Sequence, residues 1–364
     1  MRTNTYKPDI TEQLSPFLVV FLIHASQIGE GILSFERFIA EKAGHDSWVS
    51  VLLTGGILCL IIYLIYKIVL RGDGDLIKIH QDLFGKWIGN VMTILVGCYF
   101  LILSIIVTRS YIEVIQVWMF PELSTFWFSA VIAFLFYTFI IGGFRIVAGL
   151  AFFSVILSTL LASFKYVAYT EGYWTNLFPM FDHSPIEIMQ AIKPMFYSYL
   201  GVELLLIYLP FIKNKKQSLK WAILGNLWST LVYFVSVIAI FLYFNQDQLQ
   251  HIVWPTLNLW KVINLPFVER FEYIGVTLHF TVVIATICLY LWAAAQTFFR
   301  ISNRGYKVIT IIILVMTVVG CNTVDNFVLI EQYTTQISYV GYYLVIIYIP
   351  FLYIYQSIWL GVKK

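Results

Sequence analysis

Charge is what this sequence has least of. Only 12% of its 364 residues are Asp, Glu, Lys or Arg, where a soluble globular domain carries about 25%. The shortage removes the material for a solvated surface, and 60% hydrophobic residues leave no stretch from which a soluble domain is built. Cysteine is scarce as well. Cys59, Cys98, Cys288 and Cys321 all fall inside apolar runs, with no CxxC and no His/Cys ligand spacing, so neither a disulfide framework nor a zinc site is expected. No phosphate-binding glycine loop and no nucleophile beside a base stands in the chain, which argues against a hydrolase or an ATPase. We therefore expect a protein that is not an enzyme, with no cofactor and no metal, and nothing points to nucleic acid. The polar stretch 1–13, followed by an apolar run without a small-residue cleavage site, does not read as a signal peptide.

What the chain does have is long apolar runs and aromatic residues, the latter 18% of the total and suited to two membrane interfaces. A helical span needs roughly 20 mostly apolar residues. Ten runs qualify as candidates: 16–33, 48–70, 87–118, 125–141, 146–167, 188–212, 219–244, 267–299, 308–321 and 337–360. The ninth is short. With the N-terminus inside, sixteen Lys and Arg residues fall on the cytoplasmic side and four (Arg37, Lys42, Lys165, Lys261) on the other. By the positive-inside rule both termini are expected in the cytoplasm, the Lys213–Lys220 run included on that side, where it also meets lipid headgroups.

Two runs are interrupted. The first contains Gly29-Glu30-Gly31, and the sixth contains Lys193-Pro194-Met195-Phe196-Tyr197-Ser198-Tyr199-Leu200-Gly201-Val202-Glu203. Glycine weakens a helix and frees its backbone groups, although it also serves close helix packing. A carboxylate inside a span is costly and marks a functional candidate. Ten helices in two halves of five put these runs at equivalent positions, the arrangement that points to a transporter-type site at the membrane midplane. There, free N–H groups of a half-helix suit an anion such as an amino-acid carboxylate, and free C=O groups suit a cation or ammonium.

A family resemblance accompanies these features. The chain resembles the B subunit of the GerA-type spore germinant receptors of endospore-forming bacteria, relatives of the amino acid–polyamine–organocation transporters. The matching stretches are Gly29-Glu30-Gly31-Ile32-Leu33, Gly85-Lys86-Trp87-Ile88-Gly89, Tyr99-Phe100 with Thr108-Arg109, Leu200-Gly201-Val202-Glu203 with Leu209-Pro210, Trp254-Pro255-Thr256, and Phe267-Val268-Glu269-Arg270-Phe271-Glu272. The chain departs from the family pattern in two places. Glu30 stands where a small residue is usual, and Phe35-Glu36-Arg37 replaces Leu-Pro-Arg. The resemblance implies an all-α transmembrane fold of ten helices as a LeuT/APC-like 5+5 inverted repeat with broken first and sixth helices. That is a single membrane domain over 1–364, its repeats at about 13–168 and 186–361. It implies a place in the spore inner membrane, an A subunit and a lipoprotein C subunit as partners, and a small nutrient ligand, usually an amino acid, whose binding starts germination.

The expected ligand-binding set is Ile28, Gly29, Glu30, Gly31, Tyr99, Leu103, Tyr197, Ser198, Tyr199, Leu200, Gly201, Glu203 and Thr286. The resemblance turns Tyr99 toward the central cavity, and the transporter fold carries Thr286 past the site. Glu203 is open to two roles, accepting an ammonium or capping freed N–H groups. Arg109 and Glu113, four residues apart on one helix face, either fix their helix or form a gating or partner contact. Glu269 and Arg270, with Glu272, form a charge cluster at the outer start of the eighth run. His24 and His279 read as core histidines. Residue chemistry alone also fits an H⁺- or Na⁺-coupled amino-acid permease with Glu30 as ion carrier, or a conduit for water and small ions.

Overall fold

The computed structural model describes residues 8–72, 74–264, 266, 268–302, 304–324 and 326–362. Arg2, Lys7, Lys363 and Lys364 of the charge count, and Phe267 of the quoted motif, lie outside them. Among the described residues the regular structure is helical, apart from isolated bridge positions such as the pair Leu14 and Ile212. Among the described residues six helices are long and apolar enough to cross a membrane, or seven if the bent pair Pro185–Tyr199 and Val202–Phe211 is one span. Shorter apolar helices, Pro16–Gln27, Thr125–Ile141 and Tyr306–Cys321, pack among them. Helices dominate because lipid offers backbone groups no partners, and a helix satisfies its own.

The centre of the bundle is the Phe271–Ile301 helix, which lies along Leu76–Trp118 and Phe144–Ser163. On the other side of the first helix, Lys215–Tyr243 packs against Trp48–Gly72 and Val19–Gln27. Small residues permit these approaches. A Cβ on Gly225 would lie 2.6 Å from the Val20 carbonyl oxygen, and one on Gly55 2.3 Å from Thr230 Oγ1.

Two helix boundaries differ from expectation. The third span is preceded by a helical arm from Leu76 that folds back at Gly85, whose φ of 80° suits glycine. The arm presses so closely that a Cβ on Gly89 would lie 2.6 Å from the His80 carbonyl oxygen. His80 Nδ1 meets Thr93 Oγ1 at 2.7 Å and holds it there. The tenth span starts at Phe327 rather than 337 and runs through a π turn, Leu344–Tyr348, to Val362. Its polar opening, Glu331 to Gln336, lies ahead of the expected run yet is helical, and Glu331 and Thr334 line a cavity.

Candidate functional site between two broken helices

The first helix stops at Gln27 because Ile28 turns extended (φ −94°, ψ 91°) and Gly29 follows (φ −121°, ψ −143°). A 3₁₀ turn over Glu30–Leu33 then leads into a second helix, Phe35–Ala43. The Pro185–Tyr199 helix stops at Leu200 (ψ 148°), and Gly201 takes φ 130°, a left-handed value that only glycine holds without strain. The chain then bends by 54° into Val202–Phe211.

The two breaks face each other reciprocally. A Cβ on Gly201 would lie 2.5 Å from Ser26 Oγ, and one on Gly31 2.7 Å from Ser198 Oγ. Tyr233 stands at the seam, its hydroxyl 2.7 Å from both the Gln27 and the Ser198 carbonyl oxygens. Thr286 Oγ1 donates to the Ala25 carbonyl at 2.7 Å, tying the central helix to the end of the first. Each break follows a serine by the same count, Ser26-Gln27-Ile28-Gly29 and Ser198-Tyr199-Leu200-Gly201. This S-x-x-G recurrence is a signal for the paired breaks that the glycines and carboxylates alone do not carry.

Between the breaks lies a narrow cavity. Of the expected residues, Gly29, Glu30, Gly31, Leu103, Tyr197, Ser198, Leu200 and Thr286 line it. Ser26, Gln27, Val107 and Tyr290 line it too and were not foreseen. Tyr290 lies four residues after Thr286, on the same helix face, and that spacing makes it readable from sequence. Tyr99, Gly201 and Glu203 stand behind the lining. Glu203 Oε1 accepts from Tyr99 Oη at 2.9 Å and Tyr290 Oη at 3.1 Å, while Oε2 accepts the Gly201 N–H at 2.8 Å. Its carboxylate thus caps the second break. Ile28 is fully buried. Tyr199 points away, its hydroxyl donating to the Val51 carbonyl at 3.3 Å.

Glu30 and Tyr197 line a second, outer cavity as well, together with Arg37, Glu113, Trp254, Phe327 and Glu331. Tyr197 Oη donates to Glu30 Oε2 at 3.0 Å, so this pair stands between the two spaces. Farther out, Arg37 pairs with Glu331 and ties the Phe35–Ala43 helix to the Phe327–Tyr343 helix. Glu36 is buried with Lys165 at 3.5 Å, and Lys165 Nζ donates to Thr256 Oγ1 at 2.7 Å. At the opposite end Leu14 N–H donates to the Phe211 carbonyl at 2.8 Å and its own carbonyl accepts the Lys213 N–H at 3.0 Å.

The expected structural or gating residues separate into two groups. Arg109 pairs with Glu113 at 2.9 Å and donates through Nε to the Val324 carbonyl at 2.9 Å. Glu113 also lines the outer cavity. Arg270 pairs with Glu272 at 3.0 Å and lies 4.0 Å over the Tyr273 ring. Glu269 and Arg270 are both exposed and line neither cavity. Among the described residues no group of three His, Cys, Asp or Glu side chains gathers as a metal site would require.

Comparison with known proteins adds an independent view. A family model described as "Spore germination protein" matches residues 13–327. The chain is 36% identical to spore germination protein GerQB of Bacillus cereus, across 96% of this chain and 97% of that protein. It is 24% identical to spore germination protein A2 of Bacillus subtilis (strain 168), covering 83% and 84% of the two chains. Among solved structures, MhsT in complex with L-phenylalanine superposes with a TM-score of 0.68 at 14% identity, over 97% of this chain and 90% of that one. A Na⁺-coupled sialic acid symporter follows at 0.65 and 12% identity, over 91% and 77%. At such identities these two speak for the fold, that of helical membrane transporters.

Proposed function

This chain belongs to the spore germination protein family, and from that premise we propose that it is the ligand-sensing membrane subunit of a nutrient germinant receptor. The observation that carries the reading is the cavity between the two breaks, lined by residues of both breaks and by Glu30. In this reading the ligand is a small nutrient, an amino acid first of all, with its carboxylate on break N–H groups and its ammonium toward Glu30 and break carbonyls. Ligand binding favours one tilt of the broken helices over another, and only that difference in affinity drives the signal. The protein acts in the spore inner membrane with both termini cytoplasmic, as ten spans in an inverted 5+5 repeat. It works beside an A subunit and a lipoprotein C subunit and catalyses no reaction. Ion-coupled uptake is the competing reading, and the likeness to symporters favours it through the fold alone.

Deleting the gene tests the reading. Spores lacking it are expected to stop germinating with at least one nutrient while vegetative uptake of that nutrient stays normal. Germination intact toward every nutrient, with uptake lost, would make the protein a permease.

A further inference from the structure

The cavity between the breaks is unbalanced in its hydrogen-bonding groups. No Lys, Arg or His lines it. Its hydroxyl donors are largely committed: Tyr197 to Glu30, Tyr290 to Glu203 and Thr286 to the Ala25 carbonyl. Acceptors are left over. Glu30, 8% exposed, spends Oε2 on Tyr197, and among the described residues none donates to Oε1.

Gln27 supplies the second spare acceptor, and its orientation is fixed by a relay. The Gly55 carbonyl can only accept, so Asn226 turns its Nδ2 to it at 2.9 Å. Asn226 Oδ1 therefore faces Gln27, which must present Nε2 at 2.8 Å. Gln27 Oε1 is then left buried without a partner, a costly condition for a polar atom in a side chain only 1% exposed.

We propose that Glu30 and Gln27 are the specificity-determining pair of this site and that they select a ligand head rich in hydrogen-bond donors, an ammonium or an equivalent N–H/O–H group, with the negative charge of a ligand carboxylate dispensable. The proposal rests on the receptor reading and names which end of the ligand is read. The donor head satisfies Gln27 Oε1 and Glu30 Oε1 and competes with the Tyr197 hydroxyl on Oε2 for the carboxylate's charge, which weakens that bond. Because Tyr197 and Glu30 stand between the inner and outer cavities, the same competition changes the contact separating them.

The experiment uses spores whose single intact receptor contains this chain. The probes are the twenty common amino acids, the C-terminal amide and the N-acetyl derivative of each, and two carboxylate-free donors, a nucleoside and a hexose. An active amino acid is expected to keep its potency as the amide and to lose about 10- to 100-fold on N-acetylation, the worth of hydrogen bonds to a charged group. Glu30→Gln is expected to lower potency by a similar factor while immunoblots show normal subunit levels. Tyr197→Phe frees Glu30 of its competing donor and is expected to raise sensitivity severalfold, where a merely structural hydroxyl would lower it. A response to the nucleoside or hexose alone supports the donor head and removes the amino-acid assignment. An N-acetyl derivative as potent as its parent, or Tyr197→Phe spores less sensitive than wild type, overturns the proposal and leaves the receptor reading standing. Silence toward every probe overturns both.

Discussion

The two helix breaks use the same residue types and put them to different ends. At the second, Gly201 supplies an abrupt reversal at φ 130°, and Glu203 closes it with a carboxylate whose two oxygens hold one N–H and two phenols. At the first, the interruption is spread over several residues, no glycine has positive φ, and Glu30 keeps one oxygen free toward a cavity. A carboxylate in a membrane span is therefore no single signal. Where its acceptors are saturated it holds the fold, and where one is spare it is available to a ligand.

Glycine replacement breaks this comparison most severely. Gly201→Leu places a side chain in a left-handed position, with its Cβ 2.5 Å from Ser26 Oγ and 2.8 Å from the Ser26 backbone. Strain and overpacking together cost about 5 kcal/mol or more, so the subunit is expected to vanish from spore membranes on immunoblots. Gly29→Ala brings its Cβ no nearer than 3.3 Å to Thr286 Cγ2 and 3.4 Å to its Oγ1 and is expected to accumulate normally. Equal loss for both would mean the two breaks are equally rigid.

The outer half of the first break is held by charge, and the next prediction concerns that half. Glu36 and Lys165 are 0% and 2% exposed, and removing one partner of such a pair costs about 3–5 kcal/mol by stranding the other. Lys165→Met is expected to lower the melting temperature of the detergent-solubilised subunit sharply, and adding Glu36→Met to restore most of it. No recovery in the double variant would show that the two residues act separately.

Glu203→Gln is a smaller change. The amide keeps an acceptor but brings two donors into a place built from donors, at a cost of about 1–3 kcal/mol. Lower subunit levels with unaltered ligand preference are expected. A changed germinant spectrum at normal levels would move Glu203 from the frame into the site.

Much of this was readable in the chain. The breaks show as Gly beside Glu inside apolar runs, and the membrane class shows in the scarcity of charge. The Phe35–Ala43 helix was not readable. Glu36, Arg37, Glu41 and Lys42 look like the exit from a span, and the partners that bury or pair them, Lys165 and Glu331, lie 129 and 294 residues away. Local pattern does not carry long-range pairing. Gln27 escaped for the same reason, since its spare oxygen follows from Asn226 and Gly55 on two other helices. Tyr199 was misplaced by neighbourhood: it sits beside the break, but helix rotation turns it toward Val51.

The smallest effect belongs to the outermost contact. Arg37 and Glu331 are 19% and 36% exposed, and pairs open to water contribute about 0–1 kcal/mol. Arg37→Ala is therefore expected to leave the melting temperature almost unchanged, against the large loss for Lys165→Met, whose partner Glu36 is the neighbouring position of Arg37's helix. Its effect belongs to kinetics instead. The pair ties the outer half of the first helix to the Phe327–Tyr343 helix across the outer cavity, so its loss is expected to shorten the lag before germination at a fixed nutrient concentration. If Arg37→Ala destabilises the subunit as much as Lys165→Met does, burial does not rank these two pairs, and the outer half of the first helix is fixed by its rim rather than by its core.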